Sequence, residues 1–159
     1  MDELLKLLSE NSKFTPHELS LILGEPQDYI EKQIEEYEAT EVIKGYRAVV
    51  NWEKVPDAGV TALIELKVTP EKEKGFDDIA AHVMSFDEVD SVLLMSGSYD
   101  LQVVIKGHSF QEIALFVAKR LSPLDDVLST ATHFVLRTYK KEGRLYQDEE
   151  IDERECTVL

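Results

Sequence analysis

Apolar residues in the first part of the chain recur at helical spacing and are separated by clear turn signals. The leucines of residues 4–8 form an apolar stripe that predicts a first helix. The segment Thr15–Glu18 predicts the start of a second helix, because threonine caps a helix, proline fits its first turn and glutamate completes a capping box. Gly24 predicts the end of that helix. A third helix is expected from Pro26 to about Thr40.

The three predicted helices are followed by an extended segment over residues 42–50. This order, with a short turn around Gly24, is typical of a winged helix-turn-helix domain, in which the helix from Pro26 would be the recognition helix. A small helical bundle used for dimerisation is the alternative that the pattern leaves open. The inward-facing residues of the second and third helices are predicted to be Leu19, Ile22, Leu23, Ile30, Ile34 and Tyr37.

The middle of the chain alternates between strand-like and helix-like patterns. Residues 60–69 place apolar side chains at every second position, which predicts a half-buried strand. Gly97 and Ser98 separate two further alternating segments, so we expect a tight two-residue hairpin turn there. Ser109 and Glu112 form a second capping box. The other elements are expected to be a helix over 76–86, strands over 89–96 and 99–106, a helix from 109 to about 121, and a last strand over about 127–139.

The predicted order of these elements, β-α-β-β-α-β, is that of the ferredoxin-like split unit. The fold class is therefore α+β, with a four-stranded sheet that carries both helices on one face. The other face would expose apolar side chains such as Ile64, Val92, Val103 or their alternates along the strands. Because a second copy of the same domain would cover this face, we expect a homodimer formed through the sheets.

Charged residues are distributed unevenly along the chain. The sequence holds 17 Lys and Arg against 32 Asp and Glu, a formal net charge of −15. Residues 1–50 contribute −6, residues 51–59 contribute −1, residues 60–141 contribute −3 and residues 142–159 contribute −5. Together with the hydrophobic pattern, this predicts a winged helix-turn-helix domain over 1–50, a linker over 51–59, a ferredoxin-like domain over 60–141 and a solvated acidic tail over 142–159.

Composition argues against several classes of protein. A pI near 4.6 does not suit a protein that coats nucleic acid by positive charge. No window approaches about 18 consecutive apolar residues, and the N-terminus lacks the pattern of a signal peptide, so we expect a cytoplasmic protein without a membrane span. Cys156 is the only cysteine, which excludes a disulfide framework and a cysteine zinc site.

No arrangement of residues indicates an enzyme. The histidines are scattered over different predicted elements, and none forms a pair with metal-ligand spacing. Neither a nucleophile motif nor a glycine-rich phosphate loop is present. We therefore expect no catalytic site, no bound metal and no cofactor. The histidines in question are His17, His82, His108 and His133.

Three segments are similar to those of one known family. Lys13–Leu19 resembles the start of the family's second helix, and Glu41–Asn51 closely resembles its helix-to-wing segment. Gly97–Asp100, with the sequence Gly-Ser-Tyr-Asp, resembles its turn between the second and third strands. In order and spacing, these segments resemble the Lrp/AsnC family of prokaryotic transcription regulators, also called feast/famine regulatory proteins, over roughly residues 1–140.

This resemblance implies a DNA-binding regulator whose C-terminal, RAM-type domain dimerises and assembles into tetramers or octamers. It also implies that a free amino acid or related small metabolite binds at the interface between dimers. Glycine permits close approach of a ligand, and a carboxylate suits an α-ammonium group. Without the resemblance, the same turn would be no more than a hairpin. The candidate effector-binding residues are Gly97, Ser98, Tyr99 and Asp100, with Thr130 and Thr132 on the last strand as weaker candidates.

The expected recognition helix departs from the family pattern. Residues 26–39 carry five acidic residues and one lysine, and Glu41 stands where the family usually has glycine. DNA phosphates repel carboxylates, whereas cations at this surface normally supply affinity through counterion release. The residues that remain as candidates for DNA contact are Gln27, Tyr29, Lys32 and Gln33 on the helix, and Lys44, Tyr46 and Arg47 in the wing.

Two functions therefore stay open. The first is an effector-responsive transcription regulator that binds double-stranded DNA, in which several weak modules of an oligomer add up. The second is an amino-acid-sensing or co-regulatory subunit with weak or no DNA binding of its own. In the second case the acidic domain, at −6, would pair with more basic paralogous subunits.

Overall fold

The computed structural model describes residues 2–69 and 75–146. The chain divides into two compact units, which we call the N-terminal unit (residues up to Val50) and the C-terminal unit (residues from Asn51). Each unit has its own hydrophobic core. No helix among the described residues is both long and apolar enough to cross a membrane.

The N-terminal unit contains three helices: α1 (Glu3–Glu10), α2 (Pro16–Leu23) and α3 (Gln27–Ala39). The predicted capping box of α2 is present. The backbone N–H of Glu18 donates to the Thr15 hydroxyl at 3.2 Å, and the N–H of Thr15 donates to the Glu18 carboxylate at 2.8 Å. Gly24 ends α2 with a φ of 72°, a left-handed conformation that favours glycine.

The core of this unit is small. Its buried residues are Leu4, Leu8, Leu19 and Ile30, and side chains such as Leu23 pack around them. The prediction that Ile22 faces inward is wrong, because its side chain is 53% exposed. Leu19 and Leu23 lie one helical turn apart and occupy the core, whereas Ile22 projects from the other flank of Leu19.

The predicted wing is absent as a strand. No strand forms among the described residues of the N-terminal unit, and α3 is followed by a turn and then irregular backbone up to Val50. A strand is stabilised by hydrogen bonds to a neighbouring strand, and this unit offers only one extended segment. The described unit is therefore purely helical, in contrast to the expectation for residues 42–50.

The C-terminal unit is built on the predicted four-stranded sheet. Its strands are β1 (Val60–Val68), β2 (Val89–Leu94), β3 (Leu101–Gly107) and β4 (Val127–Phe134), in the order β2-β3-β1-β4 with every pair antiparallel. Helices α4 (Gly75–Met84) and α5 (Phe110–Phe116) complete the β-α-β-β-α-β order, and a π-helical turn over Val117–Leu121 extends α5. The α+β class is thus confirmed.

Alternation along the strands sorts side chains between the two faces of this sheet. Ile64 and Val103 are fully buried in the core. Their alternates form the opposite face, where Leu63 of β1 pairs with Val104 of β3 and Leu93 of β2 is 50% exposed. The apolar side chains of the open face are therefore Leu63, Val104 and Leu93. Ile64 and Val103 lie on the opposite face, in the core.

Two boundaries differ from the sequence expectations. The link between β2 and β3 spans residues 95–100 and is not a two-residue turn. Asp100 lies directly before β3, and its N–H donates to the Leu66 carbonyl of β1 at 3.0 Å. The last strand ends at Phe134 instead of continuing to 139. A short hairpin, β5 (Lys140–Lys141) and β6 (Arg144–Leu145), follows it.

This hairpin crosses the boundary predicted between the second domain and the acidic tail. Its turn residues, Glu142 and Gly143, both have positive φ, 49° and 76°. That combination is typical of a tight hairpin turn, in which glycine is favoured. Gly143 is a sequence signal for such a turn. The acidic residues that follow it favoured the prediction of a solvated tail from residue 142 instead. The rest of the predicted tail, 147–159, lies outside the described residues.

Candidate DNA-contact and effector sites

Four of the predicted DNA-contact residues lie on α3, which begins at Gln27 directly after Pro26. Lys32 and Tyr29 are exposed, with Tyr29 exposing 49% of its surface, whereas Gln33 is half-buried. The buried side of the helix is held by Ile30, which is 1% exposed. The helix therefore presents a polar surface to solvent, as a DNA-reading helix requires.

The glutamines of this surface are already hydrogen-bonded to carboxylates. The Gln27 side-chain amide donates to Glu31 at 2.8 Å, and the Gln33 amide donates to Glu36 at 3.2 Å. Spacings of four and three residues on a helix bring such pairs together. A glutamine that reads adenine must use the same amide group, so both contacts would have to break before DNA is read.

The segment after α3 repeats this arrangement. The Tyr46 hydroxyl donates to the Glu38 carboxylate at 2.8 Å, and Lys44 forms an ion pair with Glu41. Partial burial and the bond to Glu38 raise the pKa of Tyr46 above its ordinary value. Arg47 lies in the same exposed segment. At least four of the seven predicted contact side chains are thus engaged by acidic neighbours of their own unit.

A contact that the sequence did not predict joins the two ends of the N-terminal unit. The Tyr37 hydroxyl of α3 donates to the Asp2 carboxylate at 2.6 Å, and the other Asp2 oxygen accepts the N–H of Leu5 at the start of α1. The bond to Asp2 raises the pKa of Tyr37 to about 12, and the bond from Tyr37 lowers the pKa of Asp2. Asp2 therefore both caps α1 and fixes α3 against it.

The candidate effector residues Gly97 to Asp100 lie in the loop that joins β2 and β3. The loop is closed by a hydrogen bond from the Met95 N–H to the Asp100 carbonyl at 2.8 Å. A Cβ added to Gly97 would meet no atom within 4 Å, and its backbone needs no positive φ. Nothing within the described chain therefore requires glycine at this position.

The Asp100 side chain is engaged by the neighbouring strand. Its Oδ2 accepts the backbone N–H of Val68 at 2.9 Å, just beyond the last residue pair between β1 and β3. Tyr99 and Asp100 are half-buried, whereas Gly97 and Ser98 are exposed. The loop consequently offers an exposed tip on a base that is fixed to the sheet.

The two threonine candidates lie elsewhere on the sheet. Thr132 pairs with Ile64 and Thr130 with Leu66, so both belong to the face that packs against the helices. The Thr130 hydroxyl is 3.2 Å from the Ser122 hydroxyl. Among the described residues no hydrogen bond joins either threonine to the loop. One copy of the chain therefore does not bring the six effector candidates together.

The C-terminal unit also contains a cavity that the sequence did not predict. Its volume is about 330 Å³, and it lies between α4 and the segment before β4. Asp78 and His82 line it from α4, and Leu124 and Asp126 line it from the other side. None of the predicted effector residues contributes to it. The described residues contain no group of His, Cys, Asp and Glu that could hold a metal ion.

Comparison with known proteins identifies the class of the C-terminal unit. Residues 61–145 match the model of the Lrp/AsnC ligand binding domain. An uncharacterized HTH-type transcriptional regulator of Bacillus subtilis, YugG, is 43% identical over 153 residues, which cover 96% of this chain and 92% of YugG. This likeness extends over both units.

Solved structures share the fold of this chain. The Neisseria meningitidis transcriptional regulator NMB0573, in complex with L-Met, has a TM-score of 0.71 at 24% identity and covers 89% of this chain and 93% of its own. A Mycobacterium tuberculosis feast or famine regulatory protein complexed with L-methionine has a TM-score of 0.72 at 19% identity, covering 91% and 95%.

The chain belongs to the Lrp/AsnC family. Both the match to more than half of its residues and the relative in B. subtilis establish this membership. The family is one of transcription regulators, and the relatives compared above are named as regulators. The resemblance read from the three sequence segments is therefore confirmed.

Proposed function

We propose that the chain is an effector-responsive transcription regulator. Its N-terminal unit reads double-stranded DNA as a helix-turn-helix, and its C-terminal unit binds a small amino acid or related metabolite at the interface between dimers. The observation that carries the proposal is the joining of a Lrp/AsnC ligand-binding domain to a compact three-helix unit in one chain.

The DNA-reading half rests on the geometry of α2, its turn and α3. A capped α2 ends at left-handed Gly24, and α3 follows after two residues with its polar surface in solvent. This is the order of a helix-turn-helix, in which the second helix enters the major groove. Lys32, Lys44 and Arg47 supply the phosphate contacts, and the glutamines read bases once they exchange their carboxylate partners.

Selection from a random pool of duplexes, followed by a binding titration of the full chain over a salt series, tests this half. A phosphate-dependent complex loses affinity linearly on a log–log plot as salt rises. We expect a shallow slope, because few cations face DNA. Arg47→Ala should weaken binding to all sequences alike, whereas Gln33→Ala should relax sequence preference. No complex at low salt, with or without amino acids, contradicts the proposal.

The part of the proposal that concerns effector binding depends on the loop over residues 95–100. Its exposed glycine tip is unconstrained within the chain, and two proteins of the same fold were solved with L-methionine. A ligand that binds the folded protein raises its unfolding midpoint by mass action. A thermal-shift screen of the proteinogenic L-amino acids, with L-methionine included, should therefore give at least one increase. A flat result for all of them contradicts this half.

The open face of the C-terminal sheet supports a homodimer, from which tetramers or octamers are assembled. Leu63, Val104 and Leu93 lie on this face, and His133 lies 3.3 Å from Glu65 among them. An antiparallel sheet with apolar side chains on its uncovered face buries them against a second copy. Val104→Lys should convert the dimer to a monomer in analytical ultracentrifugation, whereas a monomeric wild type contradicts the dimer.

The carboxylate contacts of the N-terminal unit favour a second candidate function, an amino-acid-sensing or co-regulatory subunit with weak or no DNA binding. Gln27, Gln33, Lys44 and Tyr46 are all held by acidic neighbours. Such a subunit would respond in the thermal-shift screen but bind no duplex at low salt. It would also co-purify with a more basic paralogue, which the DNA-binding regulator does not require.

A further inference from the structure

The hairpin that follows β4 is the most basic segment of this acidic chain. Residues 137–146 carry four cations and one carboxylate, a net charge of +3 in a chain at −15. In the part of the chain that the structure describes, Arg137, Lys140 and Lys141 form no ion pair. Lys44 of the N-terminal unit, by contrast, is paired with Glu41. Positive charge is therefore available at the hairpin, although the chain as a whole is acidic.

Strand pairing sets two of these cations directly opposite each other. Lys141 of β5 pairs with Arg144 of β6, and both side chains are exposed. Residues directly opposite in an antiparallel pair project to the same face, with Cβ atoms about 4.5–5.5 Å apart. Like charges in this position destabilise a hairpin, and an anion bound between them removes the repulsion. The pairing of Lys141 with Arg144 therefore favours a binding role over a structural one.

A third cation and an exposed aromatic ring precede this pair. The Arg137 guanidinium lies 5.3 Å from the centre of the Tyr139 ring, and 60% of Tyr139 is exposed. The Tyr146 N–H donates to the Tyr139 carbonyl at 3.0 Å, which extends the β5–β6 ladder by one pair. Arginine, lysine and tyrosine side chains are all common donors to DNA phosphates. The composition of this surface therefore suits a phosphate-bearing ligand.

The hairpin is held at both of its ends by the segment that begins the C-terminal unit. The Thr138 N–H donates to the Glu53 carboxylate at 2.6 Å, and the Asn51 side-chain amide donates to the Tyr146 carbonyl at 3.4 Å. Groups that are already fixed lose less conformational entropy when they bind a ligand. These two bonds therefore prepare the cations of the hairpin for binding.

We propose that Arg137, Lys141 and Arg144 form a second DNA-contact surface, on the C-terminal unit, that binds the phosphate backbone of duplex DNA without reading its sequence. This inference rests on the DNA-binding half of the proposed function, because duplex DNA is the polyanion that a transcription regulator meets. The hairpin supplies the electrostatic attraction that the carboxylates of α3 oppose. Phosphate contacts position the protein on the duplex, whereas contacts to bases specify sequence.

The salt dependence of DNA binding by the full chain tests this surface. Lys141→Gln combined with Arg144→Gln should weaken binding about tenfold at low salt and reduce the slope of log affinity against log salt by about two, because each phosphate contact contributes about 0.9. The loss should be equal for a selected duplex and for a duplex of scrambled sequence. Lys106→Gln combined with Lys119→Gln removes the same charge from other exposed positions of the unit and should leave the slope unchanged.

Amide hydrogen exchange at Tyr146 separates binding from a structural role. This amide closes the hairpin onto Tyr139 and reports whether the hairpin is formed. Without DNA, the double glutamine variant should exchange as slowly as the wild type or more slowly, because a repulsive pair is removed. Duplex DNA should slow the exchange in the wild type and not in the variant. Faster exchange in the variant without DNA overturns the binding role.

A charge-retaining variant covers the case in which the glutamine variant loses the hairpin. Lys141→Arg combined with Arg144→Lys keeps both positive charges and should keep the salt slope of the wild type. Arg137→Gln, outside the two strands, should reduce the slope by about one. A wild-type slope in Arg137→Gln and in the double glutamine variant overturns the proposal.

The outcomes also separate this surface from the proposed function. A duplex complex with the same affinity and slope in wild type and glutamine variant overturns the surface and leaves sequence reading by α3 standing. Binding that shows no preference for the selected duplex but weakens in the variant supports the surface and contradicts sequence reading. No binding to any duplex at low salt overturns both. Tighter binding to phosphatidylserine vesicles than to duplex, lost in the variant, assigns the surface to a lipid and overturns the assignment to DNA.

Discussion

The two units of this chain use their carboxylates in opposite ways. In the N-terminal unit, acidic side chains bind the polar groups that a DNA-reading surface needs, as Glu31 does with Gln27. In the C-terminal unit, Asp100 closes a strand and leaves one oxygen available at an exposed loop. The first arrangement opposes a polyanionic partner, whereas the second favours a small cationic group. Under the proposed function, this comparison predicts that the chain binds its effector more readily than it binds DNA.

The units also differ in the size of their cores, and this difference gives the largest expected effect. Among the described residues, the N-terminal core has four buried residues and the C-terminal core has thirteen. Leu19→Ala should cost about 3 kcal/mol and unfold the N-terminal unit at a lower temperature, with the C-terminal transition unchanged. Calorimetry of the full chain measures both transitions.

Leu21→Ala is the matched control for this prediction, because Leu21 is 71% exposed on the same helix. It should change stability by less than about 0.5 kcal/mol. A single transition that shifts as a whole in Leu19→Ala would show that the two units do not unfold independently.

Removing the carboxylates that bind the glutamines of α3 should show how strongly these charges oppose DNA binding by the N-terminal unit. Glu31→Gln combined with Glu36→Gln removes two negative charges and weakens the hydrogen bonds that hold the amides of Gln27 and Gln33, because a neutral amide oxygen is a weaker acceptor than a carboxylate. We expect DNA affinity to rise by about three- to tenfold at low salt and the gain to shrink as salt screens the charges. Fluorescence anisotropy with a selected duplex measures it.

The control for the charge effect is Asp87→Asn combined with Asp125→Asn, which removes the same charge from exposed positions of the C-terminal unit. An equal gain in this control would mean that net charge, and not the surface of α3, limits DNA binding.

Gly97→Ala separates ligand binding from folding in the C-terminal unit. A Cβ at this position meets no atom within 4 Å, so stability without ligand should change by less than about 0.5 kcal/mol. The amino-acid-induced thermal shift should nevertheless fall, because the methyl group occupies the space through which the ligand approaches. Ser98→Ala, at the neighbouring exposed position, should retain more of the shift. Full retention in Gly97→Ala would remove the loop from the effector site.

The smallest effect is expected at the Asp2–Tyr37 contact, because this hydrogen bond is exposed to solvent. Tyr37→Phe should cost less than about 1 kcal/mol of N-terminal stability near neutral pH. The pKa of Asp2 is lowered from 3.8, so its contribution is present above that value and is lost as the pH falls through the lower folded pKa. The pKa of Tyr37 is raised from 10 to about 12, so its contribution is present below 10 and is lost as the pH rises through about 12.

Stability of wild type and Tyr37→Phe measured against pH tests this contact. The two curves should differ between these limits and converge beyond them. A difference that persists unchanged below the folded pKa of Asp2 would show that the tyrosine hydroxyl does not act through its bond to the Asp2 carboxylate.

Local patterns explain why much of the fold could be predicted from the sequence. The capping box at Thr15, the left-handed Gly24 and the alternation along β1 each depend on residues close in the chain. The missed features depend on distant pairs. Tyr37 bonds to a residue 35 positions away, and Asp100 bonds to one 32 positions away. No periodicity reveals such contacts, which is why the loop over 95–100 was expected to be shorter.

The candidate sites show the same division. Gln27 and Glu31 are four residues apart, a spacing that already indicates a contact on a helix. The hydrogen bonds between the glutamines and carboxylates of α3 could therefore have been predicted from the sequence. The separation of Thr130 and Thr132 from the loop was not, because it follows from the register between β1 and β4. The prediction of a wing strand was wrong for a related reason. A strand requires a partner strand, and residues 2–50 do not supply one.

The central claim is that amino-acid binding to the C-terminal unit regulates a weak DNA contact made by the N-terminal unit. It is tested most directly by titrating a selected duplex with the full chain over a salt series, with and without the amino acid that gives the largest thermal shift. The account predicts salt-sensitive binding whose affinity changes when the amino acid is added. Affinity that is identical with and without it, or absence of binding at low salt under both conditions, would contradict the account.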